Sequence, residues 1–298
     1  MSLEQQVANL VDASNKLTGA VNGKMTQIDK KVDDAIAELT AASGNQKKTV
    51  WVSMNGSDSN DGSSEDKAYL TFSKAFYDNR QHTLIVCLPA GEHYVLNTNA
   101  TYYNSVLVII SSGDTDSFGY AKITPVATWM PIEDHPSTFE HGWRSTSFIP
   151  ANTNAVLIVS KIDTETFNPN ITEDQKHISG RSALFARSDY AMNSVVIHDR
   201  GHAKINQGML FGAGSGTTIT LGFKMRYVDY EITPESAVAI TGYPRKIFFN
   251  EDYQPMLVTI DPACSITDGY EIKDFILINN NESNIVSNYP ARLGLGAL

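Results

Sequence analysis

Cysteine is nearly absent: the chain of 298 residues has two, Cys87 and Cys264. Each lies in or beside an apolar run (LIVCLP and IDPACSI), which reads as a small buried thiol rather than half of a disulfide or metal pair. Clustered positive charge is also missing. The 23 basic residues are scattered among 33 acidic ones, for a net charge of −10. A phosphate backbone needs concentrated cations to release its counterions, so no nucleic-acid partner is expected. No apolar run approaches the roughly 18 residues that a bilayer crossing needs, so membrane insertion is not expected. The opening MSLEQQVANL lacks a basic stretch followed by an apolar one, and the expectation is a chain without a secretory signal. Hydrophobic residues at 42% and charged residues at 19% put the chain among folded proteins rather than disordered ones.

Proline and aromatic residues are missing from residues 3–42, and there the pattern is helical. Leu3, Val7, Leu10, Ser14, Leu17 and Val21 alternate steps of four and three, the spacing of a coiled-coil seam. Ile28, Val32, Ala35, Leu39 and Ala42 repeat it, while Leu17, Val21 and Met25 give two successive steps of four, a stutter. Gly19 and Gly23 fall at this junction, each costing about 1 kcal/mol against alanine in a helix. The stripe is narrow and the other faces are polar, so a lone helix would bury too little to be stable. Leu3, Val7, Leu10, Leu17, Val21, Ile28, Val32 and Leu39 are therefore expected to drive oligomerisation. The bland alternative is one helix laid along its own domain. Periodicity does not count the chains in a bundle.

After Gly44 the period changes to two. Short apolar runs rich in β-branched and aromatic residues occur at 50–52, 84–88, 106–110, 155–159, 195–197, 219–221, 247–249, 257–260 and 275–278. Gly, Asn, Asp, Ser or Pro bounds each of them, the pattern of many short strands. Several spacings fall in the low twenties of residues, about one turn of a β-solenoid. A sandwich or barrel of short strands would give a similar series. Continuous runs such as VLVII and AVLIV favour strands buried on both faces, or inward stacks capped by a neighbouring chain. One helix is expected within this region, at 70–77.

Two stretches carry a family resemblance. The segment VWVSMNGSDSNDGSSEDKAYLTFSKAF, followed by LIVCLPAGEHYV, resembles the opening of right-handed parallel β-helix proteins of the pectate-lyase-like group. The matching features are Gly56-Ser57-Asp58, Asp61-Gly62, a threonine-led helix at Thr71, and Pro89-Ala90-Gly91 with Tyr94. The first residues, MSLEQQVANLVDASNKLTGAVNGK, resemble the N-terminal segments of bacteriophage tail fibres. The resemblance covers about the first third of the chain. It implies a mainly β protein: an N-terminal α-helical trimeric coiled coil at residues 1–44, then a right-handed parallel β-helix at 45–288, with a β-sandwich of short strands as the alternative. It further implies a homotrimeric virion protein made in the host cytoplasm, attached to the phage tail or baseplate through its N-terminus and meeting the host surface with its distal part. Host surface polysaccharide is the candidate ligand. No cofactor is implied.

Many relatives of that kind cleave polysaccharide with paired carboxylates. Here no pair is singled out as catalytic. Asp58 with Asp61 lies in the opening turn, where aspartate bonds its own backbone, and Asp114 with Asp116 is read as solvated. The stretch 113–154 reads as a long, weakly periodic loop, and Trp129, Glu133, Asp134, Glu140 and Trp143 within it are the candidate glycan-binding residues. The bland reading is tryptophans packed on the scaffold. His198 and His202 are four apart, but Gly201 argues against the helix that would align them on a metal, and no metal ligand set is assigned. Gly212 to Gly216 reads as a turn. The apolar tail at 289–298, with Leu293, Leu295 and Leu298, is expected to dock in an intersubunit groove. The expectation is a structural and binding fibre; the rivals are a depolymerase and a baseplate connector without a host ligand.

Overall fold

The structure, a computed structural model, describes residues 46–134, 141–152, 155–185, 193–213, 221–242, 245–250, 256–278 and 285–287, together with helical residues 5, 6, 9, 15, 16, 19, 23, 24, 27, 30 and 31. The chain divides into two compact units, Met1–Gln46 and Lys47–Leu298. In the first, the described residues up to Lys31 are helical and exposed, and Gln46 is an exposed turn residue. The helical ones are all positions between those of the apolar stripe. The stripe itself (Leu3, Val7, Leu10, Leu17, Val21, Ile28, Val32 and Leu39) lies outside the described residues. Among the described residues no helix is long and apolar enough to cross a membrane.

The second unit is mainly β. Among the described residues, every strand pair is parallel except Ala127–Met130 with Gly142–Ser145. The sandwich alternative calls for antiparallel sheets, and the parallel pairing excludes it. A 12-stranded sheet bends into two faces. Its first face runs through Lys47–Trp51, Thr83–Pro89, Val106–Ser112, Ala155–Ser160, the leading halves of Asn193–Ile205 and Leu221–Ile232, Met256–Ile260 and Ile285–Ser287. The second face runs through His93–Leu96, Ala121–Pro125, Ile162–Glu165, the trailing halves of the two long strands, and Ser265–Ile266. A separate 6-stranded sheet runs from Ala100–Tyr102 to Ile276–Ile278. From Thr83 on, the chain visits first face, second face and this 6-stranded sheet, the third sheet, in turn, and each return pairs with the strand laid down one circuit earlier. A 4-stranded sheet of Ala127–Met130, Gly142–Ser145, His177–Ile178 and Thr241–Gly242 lies in the chain between second face and third sheet.

Register stacks like on like. Val50, Val86, Ile109, Val159, His198, Met225 and Ile260 are successive partners, and all are fully buried. On the third sheet Phe148, Phe185, Phe211 and Phe248 are successive partners. Rings of the first three stack at 5.3 and 5.2 Å, and Phe223 joins the column at 4.7 Å from Phe248. Each buried phenylalanine removes 150 Å² or more from water, about 3 kcal/mol or more apiece. The short helix Phe72–Asp78 closes this column at its first end: Phe72 and Phe76 meet Phe148 at 4.9 and 6.0 Å. Thr71 caps that helix, accepting from the Lys74 amide at 3.2 Å. Asp58 reaches across the turn to accept from the Leu70 and Thr71 amides and the Thr71 hydroxyl at 3.0, 2.9 and 2.9 Å. Its partners are thus 12 and 13 residues on, whereas Asp61 makes the local turn bond, accepting from the Ser63 amide.

The stretch 113–154 is not one loop. It holds a helical turn at Thr115–Phe118 and the strands Ala121–Pro125, Ala127–Met130, Gly142–Ser145 and Phe148–Pro150. The Asp114 of the expected solvated pair caps that turn, accepting from the Ser117 amide at 3.1 Å. Its strands are short and mixed in polarity, which hides a period of two. The turn expected at Gly212 to Gly216 begins as strand, since Met209–Ala213 is paired; residues 214–220 lie outside the described residues. Tail residues 288–298 also lie outside them.

Candidate functional site

Where the first face turns into the second, three successive circuits place a non-glycine residue in the left-handed region: Lys161 (φ 53°), Arg200 (φ 56°) and Tyr227 (φ 54°). Arg200 and Tyr227 fall between the paired positions Asp199↔Arg226 and Gly201↔Val228, so they superpose at the bend. Each such residue costs about 1–2 kcal/mol against an ordinary conformation. Gly201 makes the stacking possible: at φ 134°, a Cβ there would stand 2.3 Å from the Ile162 carbonyl oxygen. The bend also resets the inward–outward alternation. His198 is therefore buried, while His202, four residues on, lies on the outer surface and pairs with Glu231.

The corner carries a groove of about 610 Å³ lined by Tyr120, Asp163, Arg200, Gly201, His202, Arg226 and Tyr227. Tyr227 is 51% exposed. Asp163 is held by the His202 amide, which donates to it at 2.9 Å. Beside the groove Asp199 accepts from the Ser160 hydroxyl at 3.0 Å. The guanidinium nitrogens of Arg226 and Arg200 lie 3.5 and 4.0 Å from its carboxylate. Two carboxylates and two guanidiniums thus balance, and the Tyr120 and Tyr227 side chains border them. Such a surface offers donors, acceptors and aromatic rings to a hydroxylated ring ligand.

Beyond the groove, the outer surface of the second face is a charged ladder. Lys122 bridges Glu165 at 2.5 Å, and Lys204 bridges Glu231 at 2.9 Å. Burial pushes the Glu165 carboxyl up, but hydrogen bonds from Lys122 and Asn206 outweigh it and hold the group below the usual carboxylate range. The hydrogen bond to Glu231 raises the Lys204 ammonium above its usual value. The ladder fixes the strands that carry Asp163 and His202.

Of the sequence-level candidates, Trp129 and Trp143 do come together. They are directly opposed across the antiparallel pair, with rings at 5.6 Å, edge to face, and both are half-buried. Trp143 donates its indole N–H to the Gln175 carbonyl at 2.9 Å. His141 and His177 stack beside them at 4.1 Å. Glu133 and Asp134 are exposed in the turn that follows Ala127–Met130, and Glu140 lies outside the described residues. The groove residues escaped the sequence reading as a group because they come from four circuits, 120 to 227. Their one local sign was the run Asp199-Arg200-Gly201-His202, which places charge and glycine inside an otherwise strand-forming segment. Among the described residues no three or more His, Cys, Asp or Glu side chains are grouped to hold a metal ion. Comparison with family models, with curated proteins and with solved structures returned no match.

Proposed function

We propose that this chain is a structural virion protein, a homotrimeric bacteriophage tail fibre that binds host surface carbohydrate. In this reading residues 1–44 form a three-stranded coiled coil that attaches to the tail or baseplate. Residues 47–287 form a right-handed parallel β-helix carrying the ligand site. The hand follows from the near-universal right-handedness of parallel crossovers. Support for self-association is the apolar stripe of residues 3–42, too narrow to stabilise a lone helix, and the number three rests on the resemblance to tail fibres. The observation that carries the binding function is the corner groove, where Tyr227 and Arg200 are held in a costly backbone conformation with their side chains exposed. Strain that persists on an exposed, polar and aromatic surface is typical of ligand sites. The Trp129–Trp143 pair offers a second aromatic surface to the same class of ligand.

The test is binding of the full chain to a panel of bacterial surface polysaccharides, followed by Tyr227→Ala and Arg226→Ala. Loss of about tenfold or more in affinity for either variant, on the order of 1.4 kcal/mol, supports the groove as the contact. No binding to any polysaccharide or to whole cells overturns the binding function and leaves a connector fibre.

One observation favours the depolymerase as a second reading. Asp163 and Asp199 come from adjacent circuits at one corner, and one Asp199 oxygen is buried without a hydrogen-bond partner. Hydrolysis or elimination by such a pair would release new chain ends from a bound polysaccharide, and both Asp163→Asn and Asp199→Asn would abolish that release.

A further inference from the structure

We infer that the outward side of the first face is where the subunits of the assembled fibre meet one another. The inference rests on the homotrimer reading and names its contact surface. Along the first face the alternate, outward residues are apolar as well. Ile85, Val108, Ile158 and Ile197 form one row in register, all half-buried. Val106, Val156 and Val195 form the row on one side of it, and Cys87 and Ile110 belong to the row on the other. The middle row ends in Thr49 at one edge and Lys224 at the other, so the patch is bounded.

The second face shows what the same chain does with a solvated surface. Its outward positions are Lys122, Asp163, Glu165, His202, Lys204, Asp229 and Glu231, paired across strands. Parallel strands with apolar residues on both sides belong to sheets covered on both sides. The middle row carries no charge and no donor, and the polar outward positions of these strands, Thr83, Ser160 and Asp199, lie at the ends of the flanking rows. That leaves carbohydrate a poor occupant of the centre and another flat β-branched surface a good one.

Size selects the occupant further. Four strands about 4.8 Å apart and about five residues of each cover roughly 300 Å². A free-standing complex needs about 800 Å² from each partner. The patch is too small to recruit an independent protein. It is sufficient between copies already tethered, because a tether raises the effective concentration to the millimolar range. The tether is short: four residues stand between Ala42, the last of the apolar stripe, and Lys47, the first residue of this face, so the five steps span about 17 Å at full extension.

The experiment is chemical cross-linking of the full chain with a short bis-maleimide, alongside molar mass by light scattering. Ile158→Cys probes the patch and Thr124→Cys, outward on the second face, is the control; wild type gives the background from Cys87 and Cys264. The expected result is a trimeric mass for all three proteins, with cross-linked subunits in Ile158→Cys alone. A trimeric mass without cross-linking of Ile158→Cys, or with equal cross-linking of Thr124→Cys, overturns this surface and leaves the trimer standing. A monomeric wild type overturns the trimer and this inference together.

Discussion

Replacing His198 with methionine should flatten the acid sensitivity of this protein. His198 sits in the aliphatic column between Val159 and Met225, fully buried. Its Nδ1 lies 3.0 Å from the Tyr230 hydroxyl, and its Nε2 has no partner. Burial pushes its pKa down from 6.5 to about 3. The sign follows from proton counts. Between those two values the unfolded chain carries a proton on this ring and the folded chain does not, so acidification favours unfolding. The loss approaches about 1.4 kcal/mol per pH unit below 6.5, and amounts to about 2.5 kcal/mol between pH 7 and 4.5. Carboxylates held low in the folded state, Glu165 among them, also lose stability as pH falls through their folded values. They contribute equally to wild type and variant and cancel in the comparison. At pH 7 the substitution removes an orphaned ring nitrogen but strands the Tyr230 hydroxyl, a cost of about 1–3 kcal/mol that His198→Met with Tyr230→Phe relieves. Urea midpoints at pH 7 and 4.5, at one protein concentration, measure the effect. The double variant should lose about 2.5 kcal/mol less than wild type over that interval. Parallel losses would show that His198 is protonated in the folded state and that its column is not closed to water.

Three further substitutions test the scaffold. Phe185→Ala opens the middle of the phenylalanine column and should cost about 3–5 kcal/mol in urea unfolding; a loss under about 1 kcal/mol would mean the column collapses around it. Gly201→Ala sets a Cβ 2.3 Å from the Ile162 carbonyl and should destabilise the corner while weakening any groove ligand; unchanged midpoint and affinity would refute the close approach. Asp58→Ala removes the acceptor for two amides and a hydroxyl ahead of the short helix, at a cost of about 1–2 kcal/mol. Hydrogen exchange at Leu70 and Thr71 should quicken in that variant, and unaltered exchange would count against the role.

The strongly apolar strands were legible in the sequence because their inward and outward residues are both apolar, which leaves long unbroken runs. The runs at 84–88, 106–110, 155–159, 247–249 and 257–260 all lie within strands close to their expected bounds. The helix expected at 70–77 is present as Phe72–Asp78, since its threonine cap and its Phe72, Ala75 and Phe76 stripe are local signals. The strands of the second face were missed. Their inward residues are few and include Ala203 and Thr164, and their outward residues are charged, so a short window reads as loop. Strands 193–205 and 221–232 were underestimated for a related reason: Arg200 and Tyr227 interrupt the alternation at the corner.

By itself the sequence determined what depends on neighbours along the chain: two regions of different period, the capped helix, the apolar strand cores and the lack of basic clusters. Which residues share a surface was decided only by tertiary structure, because circuits of unequal length fall into register through backbone pairing that no local pattern encodes. That pairing put Asp163, Arg200, His202, Arg226 and Tyr227 at one corner, His198 inside an aliphatic column, and Ile85, Val108, Ile158 and Ile197 in one outward row.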